Sequence, residues 1–184
     1  MTDDLAWETL DSQTAYECPG FTIRNESVVL PDSTETEFDY LSEPAAVVVL
    51  PFTTDGKVVV IEEWRQAVQR VNRGLPVGSV EPTDEDLDAA ARRELREETG
   101  YTADRVEQLC TVEPANGIAD SVLHFFVAHG CSQTDSQQLD FNESIRAETT
   151  TLDALKEAIR TDEIRDGRAV LGVLYHEAFG SDEA

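Results

Sequence analysis

Apolar and polar positions change rhythm several times along this chain, and each change predicts an element. The segment "GFTIRNESVVLPD" (Gly20–Asp32) alternates, which predicts a strand or hairpin closing in a turn at "PDST". "TEFDYL" (Thr36–Leu41) predicts a further strand. Two β-branched runs follow, "AAVVVLPF" (Ala45–Phe52) and "KVVVIEEW" (Lys57–Trp64), separated by "TTDG", a hairpin-like turn. Gly74, Pro76, Gly78 and Pro82 then predict irregular backbone through "QAVQRVNRGLPVGSVEPT". "RVEQLCTVEP" (Arg105–Pro114) and "SVLHFFVAHG" (Ser121–Gly130) read as strands around a loop, "ANGIAD", and "IRAETTTL" (Ile145–Leu152) as another. "LDALKEAIRTDE" and "DGRAVLGVLYHEAFG" carry helical periodicity, the second starting at Asp166 or Gly167 and ending near Gly180. This order predicts a mixed α/β sandwich, since strict strand–helix alternation is missing.

The clearest helix is expected over Asp84–Thr99. Thr83 is its expected N-cap, Asp86 stands three residues later in capping-box position, and Gly100 is a natural stop. On a helical wheel Leu87, Ala90 and Ala91 share one face and Leu95 borders it. The stripe should continue through positions 94 and 98, yet Glu94 and Glu98 stand there, with Glu97 beside them. Three carboxylates within one turn repel one another, and the helix C-terminus opposes each by about 0.3–1 kcal/mol. A solvated acidic face would explain the count but not the interrupted stripe. A hard divalent cation resolves the conflict, since Mg²⁺ prefers carboxylate oxygens and keeps positions open for water and phosphate.

Composition narrows the partners. The chain has 184 residues, 38 Asp+Glu against 14 Lys+Arg, and a net charge of −24. The acids are spread along apolar-patterned segments, which argues against an acidic tail and for a like-charged surface suited to high salt, as in a halophile. No basic stripe exists to neutralise phosphates, so nucleic acid is excluded as the expected partner. No apolar run approaches a membrane span, and "MTDDLAWETL" lacks the order of a signal peptide, so a cytoplasmic protein is expected. Cys18, Cys110 and Cys131 form neither metal spacing nor a disulfide framework.

Gly78, Glu85 and "RELREETGY" (Arg93–Tyr101) together resemble the Nudix box. That motif runs glycine, five residues, glutamate, seven residues, then Arg-Glu-aliphatic-any-Glu-Glu-any-Gly-aliphatic or aromatic. The second half matches at every fixed position. In the first half six residues separate Gly78 from Glu85, and the extra residue is expected in "EPTDE". "EPAAVVVLPFTTDGKVVVIEEWRQAV" with "GLPVGSVEP" further resembles the ADP-ribose pyrophosphatase branch, although Gly74 and Val77 replace that branch's glutamate and alanine.

The resemblance implies a Nudix-type α/β/α sandwich with a mixed sheet (residues 44–180) and a small N-terminal β element (residues 1–43) that supports a homodimer. It implies hydrolysis of the diphosphate linkage of ADP-ribose or a related nucleoside diphosphate sugar, with Mg²⁺ or alternatively Mn²⁺. By carry-over Glu94, Glu97, Glu98 and the Val77 carbonyl would ligate metal, while Glu85 and Arg93 would pair and orient those ligands. Arg65, in "EWRQ", is the phosphate-contacting candidate, against a simple ion pair with Glu62 or Glu63. Glu97, Glu98 and Glu143 are the catalytic candidates, with Glu143 in "LDFNESIRAE" preferred over Asp140 as general base. Gly117 in "ANGIAD" is the candidate for close substrate approach. Phe21, Trp64 and Tyr101 remain equal candidates for base stacking. The alternatives are a hydrolase of another nucleoside diphosphate derivative or nucleotide, and a non-catalytic Nudix-like ligand sensor.

Overall fold

The computed structural model describes residues 4–180, so the expected N-terminal element is seen from residue 4. The chain divides into two compact units. One comprises the chain up to Ala45 together with Glu113–Val122; the other comprises Ala46–Val112 and the chain from Leu123.

In the first unit β1 (Glu8–Cys18), β2 (Phe21–Val29) and β3 (Glu35–Ser42) form an antiparallel sheet in that order. The strand β1 was absent from the sequence expectation. Its residues are nearly all exposed, so it lacks the buried-face alternation by which strands are recognised. The segment 113–122 joins this unit: Leu41 N–H donates to the Ile118 carbonyl, and Ser42 Oγ donates to Asp120 at 2.7 Å.

The second unit is built on a sheet with the path β11-β5-β4-β10-β8. Its strands are β4 (Ala46–Thr53), β5 (Val58–Arg65), β6 (Arg70–Gly74), β7 (Val77–Ser79), β8 (Tyr101–Thr102), β9 (Arg105–Val112), β10 (Leu123–Gln133) and β11 (Ile145–Thr150). β6 pairs with β5, β7 with β4 and β9 with β10, all antiparallel, whereas β4 and β10 run parallel. Val47–Leu50 are buried throughout, which explains the unbroken apolar run: a central strand covered on both faces needs no polar side. Val47 and Val49 face α1 (Leu87–Thr99) with Ala90, Ala91, Leu95 and Phe126. Val48 and Leu50 face α2 (Leu152–Arg160) and α3 (Gly167–Phe179) with Phe125, Leu155, Ala169 and Val173. The result is the expected α/β/α sandwich with a mixed sheet.

Two expectations need correction. The stretch 66–83 was expected to be irregular, yet it contains β6 and β7, whose backbone groups are claimed by β5 and β4 despite the glycines and prolines. The helix α1 begins at Leu87 rather than Asp84, and its N-cap is Asp86, whose side chain accepts from Ala89 N–H at 2.8 Å. Asp84 is instead held in a turn, its carboxylate accepting from Glu81 N–H. Such local side-chain-to-backbone bonds compete with the first helical turn. The other end is as expected: Gly100 adopts φ 77°, the left-handed cap.

Candidate active site

The glutamates that interrupt the apolar stripe of α1 are themselves buried. Glu98 is 2% exposed and Glu94 8%. They lie one turn apart, about 6 Å along the axis. Glu98 accepts a hydrogen bond from Val77 N–H at 2.8 Å, which ties the helix to β7. Glu94 lies against Gly78 on the same strand: a Cβ there would stand 2.1 Å from the Glu94 carboxyl carbon. Only a residue without a side chain leaves this space, so Gly78 and Glu94 are one device.

Burial of these carboxylates is costly. Desolvation pushes Glu94 up to about 7, although Arg93 pulls against it. Desolvation raises Glu98 well above the carboxylate range, opposed by the Val77 N–H and reinforced by Glu94, Glu143 and Glu63. Glu63, near the end of β5, is raised by burial as well. These are three buried acids whose charges repel. Carboxylate oxygens are the donors a hard divalent cation takes, although among the described residues no three acids are arranged closely enough to hold one as they stand. Glu97, beside them, is partly exposed.

Arg93 organises the group. Its Nε and Nη2 donate to the two Asp84 oxygens, each at 2.9 Å, and Nη1 donates to Glu94 at 2.6 Å and Glu97 at 3.2 Å. Nη2 also donates to the Ser79 carbonyl. The partner of Arg93 is therefore Asp84 and not Glu85, which is exposed. Counting from Gly78, Asp84 follows after the five residues that the Nudix box specifies. The extra residue lies after this acid, where the turn runs into the helix, and not in the preceding loop. An aspartate replaces the longer glutamate, and its two oxygens still meet the guanidinium fork. Replacing Asp84 by Ala should cost about 2 kcal/mol, because it strips a buried guanidinium of its bidentate partner. Replacing Glu85 by Ala should change stability by less than about 0.5 kcal/mol. Paired denaturant titrations check this; equal effects would restore Glu85 to the role.

The segment between β10 and β11 closes the C-terminal end of α1. Thr134 and Asp135 N–H donate to the Gly100 carbonyl, Gln138 N–H to Glu97 and Gln137 Nε2 to Glu98. Helix-end carbonyls need such partners, so they anchor this segment. It carries Glu143, whose charge acts on Glu63, Glu94 and Glu98 together. Asp140 is exposed and contributes its backbone N–H, which donates to the Glu143 carboxylate at 2.9 Å.

Arg65 ends β5 and pairs with Glu63 at 2.6 Å. The ion-pair reading of Arg65 is thus met, but on a buried partner that belongs to the glutamate group. Val77 contributes its N–H to Glu98, as above. Gly117 belongs to the other compact unit and has open space where a side chain would stand, so no local contact demands glycine there. Trp64 is exposed and donates to Gln66, Tyr101 is half-buried, and Phe21 lies in the first unit. Sequence reasoning named Glu63 only as a possible ion-pair partner of Arg65 and missed Asp84 as the partner of Arg93. Asp84 was detectable by the spacing from Gly78.

The fold and this box define a Nudix hydrolase. Residues 42–170 match the NUDIX domain, and the chain belongs to that family. It is 32% identical over 151 residues to the methanol dehydrogenase activator of Bacillus methanolicus, covering 82% of this chain and 81% of that protein. It is 29% identical over 151 residues to the ADP-ribose pyrophosphatase of Bacillus subtilis, with the same coverage. A crystal structure of an ADP compounds hydrolase shares the fold at a TM-score of 0.82 and 19% identity, covering 94% of this chain and 93% of that one.

Proposed function

We propose that this protein hydrolyses the diphosphate linkage of ADP-ribose or a related nucleoside diphosphate sugar with Mg²⁺, or Mn²⁺ in its place. The observation that supports this most is the pair Glu94 and Glu98, buried one turn apart, the first against Gly78 and the second on the Val77 N–H. When bound, the cation would polarise the phosphoryl oxygens and lower the pKa of the attacking water.

In this reading Glu94, Glu97 and Glu98 hold the cation, and the Val77 carbonyl is a further candidate ligand. Arg93 and Asp84 keep the helix carboxylates in place. Glu143 takes the proton of the water that adds to phosphorus as the bridging P–O bond breaks. Arg65 contacts phosphate. Gly117 remains a candidate for substrate approach, with Phe21, Trp64 and Tyr101 for base stacking.

The N-terminal sheet is proposed as a homodimerisation element, since β1 carries Leu10 and Tyr16 at 53% and 57% exposure. The net charge of −24 is read as a surface suited to high salt in a cytoplasmic protein. Among the described residues no helix is long and apolar enough to cross a membrane.

The decisive experiment is a panel of nucleoside diphosphate derivatives with Mg²⁺ or Mn²⁺ at low and molar salt, with products separated. ADP-ribose should yield AMP and ribose 5-phosphate, and chelation should abolish the reaction. No hydrolysis of any compound at either salt would overturn the proposal. A second reading, a ligand-binding Nudix protein that acts on another enzyme, is favoured by the name of the Bacillus methanolicus relative. It predicts tight ligand binding without product release.

A further inference from the structure

The turn of residues 66–69, between β5 and β6, sets two arginines opposite each other. In the register of these strands Arg65 stands across from Arg70, and Glu63 across from Asn72. Directly opposed residues of an antiparallel pair share one face of the sheet, with Cβ atoms about 4.5–5.5 Å apart. Like charges in such a pair are destabilising unless they are neutralised. With 38 Asp+Glu against 14 Lys+Arg, the chain has ample means to neutralise both.

It does so for Arg65 alone. Arg65 Nη2 meets Glu63 at 2.6 Å, two residues back on its own strand. Arg70 turns to the corresponding position on β6, where its Nε donates to Asn72 Oδ1 at 2.8 Å. That partner is an amide, so it orients the guanidinium and leaves its charge in place. Among the described residues no carboxylate lies within 4.0 Å of Arg70. Its other two guanidinium nitrogens have no hydrogen-bond partner there. Both guanidiniums are thus drawn back from the turn toward the Glu63–Asn72 pair, and only one is neutralised. Arg70 and Asn72 also line an open groove of about 390 Å³ with Arg73 and Arg165, which gives a ligand access. Asp162 and Glu163 share that groove, and neither carboxylate pairs with a guanidinium in it.

We propose that Arg70, held by Asn72, is a second phosphate-binding residue beside Arg65, and that the two guanidiniums form a clamp for the substrate's diphosphate. A nucleoside diphosphate joined to a sugar carries one negative charge on each of two adjacent phosphoryl groups. Two opposed forks match that arrangement, one to each group. The amide at position 72 is what keeps the Arg70 charge available. The clamp rests on the proposed function, in which Arg65 contacts phosphate.

The test is calorimetry of the whole chain with Mg²⁺ and α,β-methylene ADP-ribose, whose P–C–P bridge resists hydrolysis, with thermal unfolding alongside. Arg70→Gln should weaken binding by about 10-fold or more. Arg70→Lys keeps the charge without the fork and should fall between Arg70→Gln and wild type. Asn72→Asp keeps the guanidinium and supplies the missing carboxylate, and should weaken binding by about 3-fold or more. A bond that only steadies the hairpin would be kept or strengthened by that change, with affinity unmoved. Should Arg70→Gln fail to fold, Arg70→Lys and Asn72→Asp carry the same test. Affinity within twofold of wild type in the folded variants would overturn the clamp, and so would a wild-type chain that does not bind the analogue. Wild-type hydrolysis in the substrate panel would leave the proposed function standing in either case. Weakened binding in the variants without hydrolysis of any substrate would sustain the clamp and remove the pyrophosphatase reading.

Discussion

Replacing Glu98 by Gln is expected to lower turnover by roughly 10²–10⁴-fold while the fold holds or gains stability. The two halves of this expectation have separate causes. Glu98 is 2% exposed, and its carboxylate accepts a hydrogen bond from Val77 N–H. A glutamine oxygen accepts that bond equally well, so the Val77 N–H keeps its partner. The substitution also removes a charge that is buried and repelled by Glu94, Glu143 and Glu63. Unfolding should therefore occur at the same temperature or a few degrees higher, about 2–4 °C for each kcal/mol gained. On the proposed function, Glu98 is a ligand of the cation, and losing it lowers the rate. Stability and activity move in opposite directions, as expected where a site is built from strained charges. Turnover at saturating Mg²⁺ and thermal unfolding on the same preparation check both halves. A rate near wild type would remove Glu98 from the catalytic set.

Replacing Gly78 by Ala should cost nearly as much activity, through a methyl group with no chemistry. That methyl would lie 2.1 Å from the carboxyl carbon of Glu94 and 2.2 Å from each oxygen. No such contact persists, so one partner must move. Backbone β7 is fixed by pairing with β4, whereas Glu94 is the end of a flexible side chain. The carboxylate should give way, leaving its 2.6 Å bond to Arg93. Overpacking of this kind costs about 1–3 kcal/mol, which the domain should survive. Activity should fall roughly 100-fold, and Mn²⁺ binding should weaken with it. Unchanged Mn²⁺ affinity in a folded variant would show that Glu94 is not needed where it lies.

How much of this was legible in the sequence depended on how local each cause was. The strands β4 and β5 announced themselves because the physics of a covered strand is written into consecutive residues, Val47–Leu50 and Val58–Ile61. The helix was legible for the same reason, and so was its conflict: periodicity alone placed Glu94 and Glu98 on a stripe that should be apolar. Its first turn was misplaced by three residues because Asp84 and Asp86 both compete for backbone donors, and local propensity does not say which prevails. The short strands β6 and β7 were hidden behind glycine and proline, since their backbone bonds come from distant partners.

The residues alone determined that carboxylates cluster at the wrong pole of a helix, that the pattern around them is a Nudix box, and that the fold is a layered α/β sandwich. The first and last follow from helical spacing, charge and turn chemistry, which act over a few positions; the box follows from its resemblance to the family motif. Tertiary structure decided the pairing of Arg93 with Asp84, the anchoring of the segment that carries Glu143 on the end of α1, and the approach of Asp166 to Gly74. Each of these depends on chain closure over many residues: β7 against α1, the segment after β10 against the helix-end carbonyls, and α3 against β6. Contacts of that kind are fixed by packing of the whole core, so no short stretch of sequence carries them.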